Sequence, residues 1–183
     1  MPDLAEVVPT AEVASFAGWK EFGAWYWSMV KGQWDVTEEL RAKVRELTEG
    51  IEDPVAQVRA VYNFVSQKVP YQAWEFGVHG FQPYRASQIL RRGFGDCKDK
   101  ATLICVMLGE LGIKARPVII HAAAPHGRDD LASPMMEHFN HCIALVTLPD
   151  GKELWLDGTA TMHPMDTLPE MDRGATVLVV EED

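Results

Sequence analysis

Gly112 divides the sequence into two stretches of different period. Before it, apolar residues recur at spacings of three and four over most of the chain; after it they come in short β-rich runs broken by Pro, Asp and Gly. Helical text first and strand text later predicts an α+β domain, its helices packed on an antiparallel sheet rather than threaded between parallel strands. The 183 residues suffice for one such domain, and 47% apolar with 24% charged residues is an ordinary globular composition needing no disulfide or metal to fold.

Phe16, Trp19, Phe22, Tyr26 and Met29 make the apolar stripe of a first helix over residues 14–30, widened by Trp25 and Trp27. A second helix is expected from Thr37, with Asp35 before it, Glu38 and Glu39 in its first turn, Leu40, Val44 and Leu47 facing inward, and Gly50 at its end. Asp53-Pro54, an N-cap followed by a residue suited to the first helical position, opens a third that runs through Val58, Tyr62 and Val65 to Pro70. Residues 71–85 are aromatic and glycine-punctuated, the text of a loop crossing the mouth of a site. A short helix at 87–92 follows, and after Gly93-Phe94-Gly95 another begins at Asp96-Cys97 and continues to Leu111. Between Ala101 and Leu108 only Thr102 is polar, so this last helix is expected to be buried on nearly all sides. Strands are expected at 115–121, 139–148, 152–156 and 175–180, the middle two joined by a hairpin turn at Pro149-Asp150-Gly151. Residues 1–35 read as a helical lead-in and 36–183 as the core domain.

Charge and composition narrow the function. With 17 Lys and Arg against 27 Asp and Glu, the net charge is −10, which argues against affinity built on nucleic-acid phosphates or anionic lipid headgroups. No apolar run approaches a membrane span, and the first residues lack the basic start and apolar run of a signal peptide. Cys97, Cys105 and Cys142 are an odd, sparse set, unlike a disulfide framework. The acidic, Pro-bearing loop 124–137 is placed to flank a cleft and choose substrates; its Asp129 and Asp130, beside Arg128, lack the alternating oxygens of a calcium loop and read as a solvated face.

Chemistry is concentrated at Cys97. Asp96 as N-cap and Asp99 three residues on form a capping-box pattern, which puts Cys97 in the first turn, where unpaired N–H groups and the helix dipole favour an anion. Lys98 and Lys100 add to that effect, while the acidic neighbours oppose it. A cysteine nucleophile needs an imidazole, and the imidazole needs a carboxylate or amide to orient it. His141 begins one strand of the hairpin and Asp157 ends the other, and pairing about the turn sets His141 opposite the Leu156–Gly158 region. His138, His141 and Cys142 lie close in sequence, but successive strand residues face opposite ways, so His141 and Cys142 do not share a metal cluster; no metal or other cofactor is expected. Cys105 and Cys142 read as small buried hydrophobes, and His121, His126 and His163 as loop or surface residues.

Three ordered blocks, YQAWEFGVHGFQPYRASQILRRGFGDCKDKATLICVMLGELGIKARPVII, FNHCIALV and LWLDGTA, resemble the transglutaminase-like cysteine enzymes from about Tyr71 to Gly174. The resemblance implies a papain-like core, with Cys97 as nucleophile, His141 as general base and then acid, and Asp157 orienting the imidazole. It also implies an oxyanion donor upstream of the cysteine, for which Gln82 and Tyr71 are candidates; Trp74 and His79 are candidate substrate contacts. The GDCKDKATL and FNHCI blocks are similar to a bacterial branch in which a β-rich domain precedes the core; its members are often exported, which implies a periplasmic or extracellular parent protein. Where the commonest final block reads Asp-Pro-Thr, this chain has Asp157-Gly158-Thr159, expected to loosen the turn and keep the carboxylate. The expected activity is cleavage or exchange of a carboxamide in a protein or peptide. An arylamine-acyltransferase-like enzyme shares the residue order, but no phosphate-binding loop or basic cluster for an acyl-CoA donor stands out. The rival from another class is a binding module that keeps the fold with a silent triad, and replacing Cys97 by Ala separates the two.

Overall fold

The computed structural model of the chain describes residues 11–123 and 131–181. Five α-helices precede a four-stranded antiparallel sheet among these residues: α1 (Trp19–Val30), α2 (Glu38–Thr48), α3 (Pro54–Lys68), α4 (Ala86–Arg92), α5 (Cys97–Gly109), then β1 (Lys114–Ile120), β2 (His141–Thr147), β3 (Glu153–Leu156) and β4 (Val177–Val179). The sheet order is β3-β2-β1-β4. The α+β architecture read from the change of period at Gly112 is the one observed.

Local chemistry explains where the helices start. Thr37 accepts from the Leu40 N–H at 3.3 Å and Asp53 from Ala56 N–H at 3.0 Å, each an N-cap, with Pro54 in the first turn of α3. Asp35 caps a different helix from the one it precedes: its carboxylate accepts from the Ser87 N–H at 3.0 Å and hydroxyl at 2.5 Å, closing the start of α4, whose own preceding residue Arg85 supplies no cap. Helix α1 begins at Trp19, later than the stripe suggests, because the chain at Gly18 is extended; Phe16 folds back onto Phe22 and Trp25 from outside the helix.

Helix α5 is the axis of the molecule. Every residue from Lys98 to Leu108 is buried, with α3 and α4 against it and β1 and β2 behind it. One sheet face, through Ala115, Ala144, Val146 and Leu156, joins Leu103, Ile104, Met107 and the α2 and α3 stripes in the main core. Beside it, Phe22, Tyr26 and Val30 of α1 pack on Ala101, Ile119, Cys142 and Val180, so the aromatic stripe is largely core rather than a free platform. The opposite face, with Val118, Ile120, Ile143 and Leu145, is covered by Leu168 and Ala175. Each such buried aliphatic or aromatic side chain contributes roughly 1.5–3 kcal/mol over leaving it in water. None of the described helices is long and apolar enough to cross a membrane.

Candidate active site

The site lies where the N-terminus of α5 meets the ends of β2 and β3. The predicted capping box is present: Asp99 N–H donates to Asp96 Oδ1 at 3.2 Å and Asp96 N–H to Asp99 Oδ2 at 3.3 Å, which places Cys97 at the first helical position. The charges around it are buried and mutually tied. Lys98 Nζ meets Asp96 Oδ2 at 2.5 Å, and Asp99 pairs with Arg92 while accepting from the Tyr84 N–H at 2.8 Å. Burial, then the neighbouring Asp96 charge, pushes the Asp99 carboxyl up despite Arg92. Lys100 turns the other way and donates to the Val69 carbonyl at 2.7 Å, beneath the end of α3; burial brings its ammonium down to about 8. Gly95 permits this close packing, since a Cβ there would sit 2.7 Å from the Asp99 Cβ.

The hairpin brings in the other two residues. Ala144 pairs with Leu156, so continuing the ladder sets His141 opposite Thr159, one residue beyond the region expected from the turn. His141 Nε2 stands 3.3 Å from Asp157 Oδ1, with the N–H off line, an ion-pair contact rather than a straight hydrogen bond. The Cys97 thiol lies close enough to the ring to favour its charged form. Burial opposes a charged imidazole, but the Asp157 and Cys97 contacts outweigh it and raise His141 to about 10. Burial likewise pushes the Asp157 carboxyl up, and is overcome by His141 and by Thr159, so that it lies below its ordinary range. Thr159 fixes the carboxylate by donating its N–H at 2.8 Å and its hydroxyl at 2.7 Å to Oδ1, an Asx-turn arrangement. Gly158 is packed rather than loose: a Cβ there would lie 3.1 Å from Ile104 Cδ1 and 3.2 Å from Lys100 Cβ. The flexibility expected of this turn is therefore corrected by its close approach to α5.

A cleft of about 420 Å³ opens over His141, with Tyr71, Ala122, Asn140, Thr159 and Met171 in its walls. Asn140 clamps Ala122 at both its N–H (2.7 Å) and carbonyl (3.1 Å), fixing the chain beside His141. Tyr71 is held by a bridge to Gly95, and burial followed by the fields of Cys97 and Asp96 pushes its phenol up to about 12, so it remains an O–H donor. Gln82 donates its amide to the Met29 carbonyl at 2.9 Å and joins the loop to α1; it is not among the cleft residues. Trp74 stacks edge-on against Phe94, and His79 lies flat on Tyr84 at 3.6 Å; neither is among the cleft residues. His138 bonds the Ser133 carbonyl at 2.8 Å and packs on Trp19. Cys105 and Cys142 are buried thiols pushed upward by burial. The calcium and substrate-loop readings at Arg128, Asp129 and Asp130, and His126, fall outside the described residues.

One neighbour was invisible in the sequence. Asp172, in a 3-10 turn before β4, brings a carboxylate oxygen within 4.8 Å of both a His141 ring nitrogen and an Asp157 oxygen, and these three side chains could together ligate a cation. Nothing in the text around Glu170-Met171-Asp172 marks it, whereas the Asp157-to-Thr159 spacing was a readable signal for the turn.

Residues 41–157 match the transglutaminase-like superfamily. The chain belongs to the transglutaminase-like superfamily. The match runs from within α2 to Asp157 and contains Cys97, His141 and Asp157. The transglutaminase-like fold recurs in a candidate protease from Parabacteroides distasonis, 14% identical over 86% of this chain with a TM-score of 0.60, and in a candidate cysteine protease from Cytophaga hutchinsonii, 16% identical over 81% with a TM-score of 0.53. This chain spans 29% and 50% of those two chains. No curated protein sequence matches it.

Proposed function

We propose that this transglutaminase-like domain is a thiol amidase acting on protein or peptide carboxamides through Cys97, His141 and Asp157. The observation that carries the reading is the imidazole held between a helix-terminal thiol and a buried carboxylate, with Nε2 3.3 Å from Asp157. The Cys97 sulfur attacks the carbonyl carbon, and the carbonyl electron pair moves onto oxygen. The oxyanion accepts hydrogen bonds from the Cys97 N–H and the Tyr71 hydroxyl. As the tetrahedral intermediate collapses, the C–N bond breaks and the imidazolium gives its proton to the departing amine. His141 then takes a proton from water, the hydroxide attacks the acyl-enzyme, and the thiolate leaves with the carboxylic acid released. Hydrolysis is favoured over transfer to an amine because the cleft over His141 is open and gives water a path to the acyl-enzyme.

The test is mass spectrometry of an unfolded protein substrate such as reduced casein, incubated with a dansylated alkylamine and either wild type or Cys97→Ala. The proposal expects cleaved or deamidated peptides with wild type only. Equal products from both proteins would refute it, and predominant dansyl incorporation would replace hydrolysis by acyl transfer.

A further inference from the structure

Three hydrogen bonds tie Asn140, the residue before His141, to the end of β1. Its N–H donates to the Ile120 carbonyl at 3.0 Å, its carboxamide oxygen accepts from the Ala122 N–H at 2.7 Å, and its carboxamide nitrogen donates to the Ala122 carbonyl at 3.1 Å. The β1–β2 ladder ends at Ile120 and His141, and continuing it would set Ala122 opposite Phe139. Phe139 has left that line: its N–H donates to the Met136 carbonyl at 2.9 Å, and its ring packs on Trp19 and Phe22 of α1. A neighbouring antiparallel strand offers a residue one acceptor and one donor, and the Asn140 carboxamide offers Ala122 the same pair. The side chain thus replaces a missing strand residue at the point where Ala122, Asn140 and His141 line one cleft. One residue on, the Ala123 N–H donates to the carbonyl of Met171, a further residue of the cleft wall, at 2.9 Å.

We propose that Asn140 is a positioning residue for substrate: by standing in for the absent strand residue, it holds residues 122–123 as a fixed wall of the cleft, against which a polypeptide segment is bound beside His141. Asn140 acts through Ala122 and contacts no reacting atom. Its side chain is exposed, so water could satisfy both polar groups of Ala122, and the two bonds contribute order rather than burial. A hydrogen bond of ordinary worth biases such an opening by roughly fivefold, and two act together here. The order of the wall is a property of this chain alone; its consequence for substrate binding rests on the proposed amidase function.

The experiment compares wild type, Asn140→Ala and Asn140→Ser by amide hydrogen exchange and by turnover of reduced casein. The Ala123 amide bonds Met171 and not Asn140, so its exchange reports the wall rather than the deleted bonds. It is expected to exchange about tenfold faster or more in Asn140→Ala, while Val118 and Ile119 within β1 stay within about twofold. Unchanged Ala123 exchange in a folded variant would overturn the proposal. With casein, KM is expected to rise about three- to tenfold and kcat to fall by less than about twofold. A loss confined to kcat would overturn the proposal by making Asn140 act on His141 alone, and a lower KM would overturn it by making the carboxamide a place-holder that substrate displaces. Asn140→Ser keeps one hydrogen-bonding oxygen and is expected to lie between wild type and Ala in both readouts; it serves alone should the Ala form fail to fold. Exchange needs no substrate, so the two claims fail separately. Faster Ala123 exchange with no casein turnover by wild type keeps the wall and sinks the amidase reading; turnover with unchanged exchange does the reverse.

Discussion

The first turn of α5 and the loop at residues 71–84 both depart from the usual sorting of side chains, and in opposite directions. The helix start buries charge: Asp96, Lys98, Asp99 and Lys100 are each no more than 5% exposed. The loop does the converse, leaving Tyr71, Trp74, Phe76, Val78 and Phe81 at 44–76% exposure. Buried charges are costly unless paired, and exposed apolar groups forgo the benefit of burial. The difference teaches how this fold divides its work. Paired charges beside Cys97 fix the start of the helix, while the loop, tied at Gly95, Asp99 and Met29, holds an apolar row in solvent, with Tyr71 in the wall of the cleft.

That contrast can be broken first at its rigid end. Asp99→Ala leaves Arg92 and the Asp96 N–H without their buried partner, and is expected to cost about 3–5 kcal/mol in urea unfolding. A cost below about 1 kcal/mol would mean that the charge cluster does not organise the helix start.

The second effect is a pH dependence with two opposed arms. His141 is raised from 6.5 to about 10 in the folded chain, so its contribution to stability is complete below pH 6.5 and is lost as pH rises through 10. Lys100 is lowered from 10.5 to about 8, so from pH 8 to 10.5 the unfolded chain holds more protons and this group makes stability rise. His141→Gln is therefore expected to remove the alkaline loss and expose the rise, and Lys100→Met to steepen the loss. Parallel stability profiles for all three proteins would contradict both assignments.

The smallest effect belongs to the loop. Phe76→Ser and Val78→Ser are expected to change unfolding free energy by less than about 0.5 kcal/mol, because neither side chain is buried. A loss above about 1 kcal/mol would show that this row is structural.

How much of this was legible depends on the range of the interaction. The capping box, the α2 and α3 N-caps and the hairpin about Pro149-Asp150-Gly151 are local, so residue spacing displayed them, and with the hairpin the approach of His141 to Asp157. That Asp35 closes the start of α4 was not legible, because its partner Ser87 lies 52 residues away. Gly158 read as slack for the same reason: only the approach of Lys100 and Ile104 shows the turn to be packed. Asp172 carried no signal at all, since its place beside His141 depends on the path of the chain back to β4.

The most direct measurement is the rate of iodoacetamide alkylation at Cys97 between pH 5 and pH 9 in wild type and His141→Ala, read by peptide mass with Cys105 and Cys142 as buried controls. An imidazolium held beside the sulfur predicts rapid labelling already at pH 6 and a fall of roughly tenfold or more when His141 is removed. Labelling of Cys97 that is slow at pH 6 and indifferent to His141 would contradict the account.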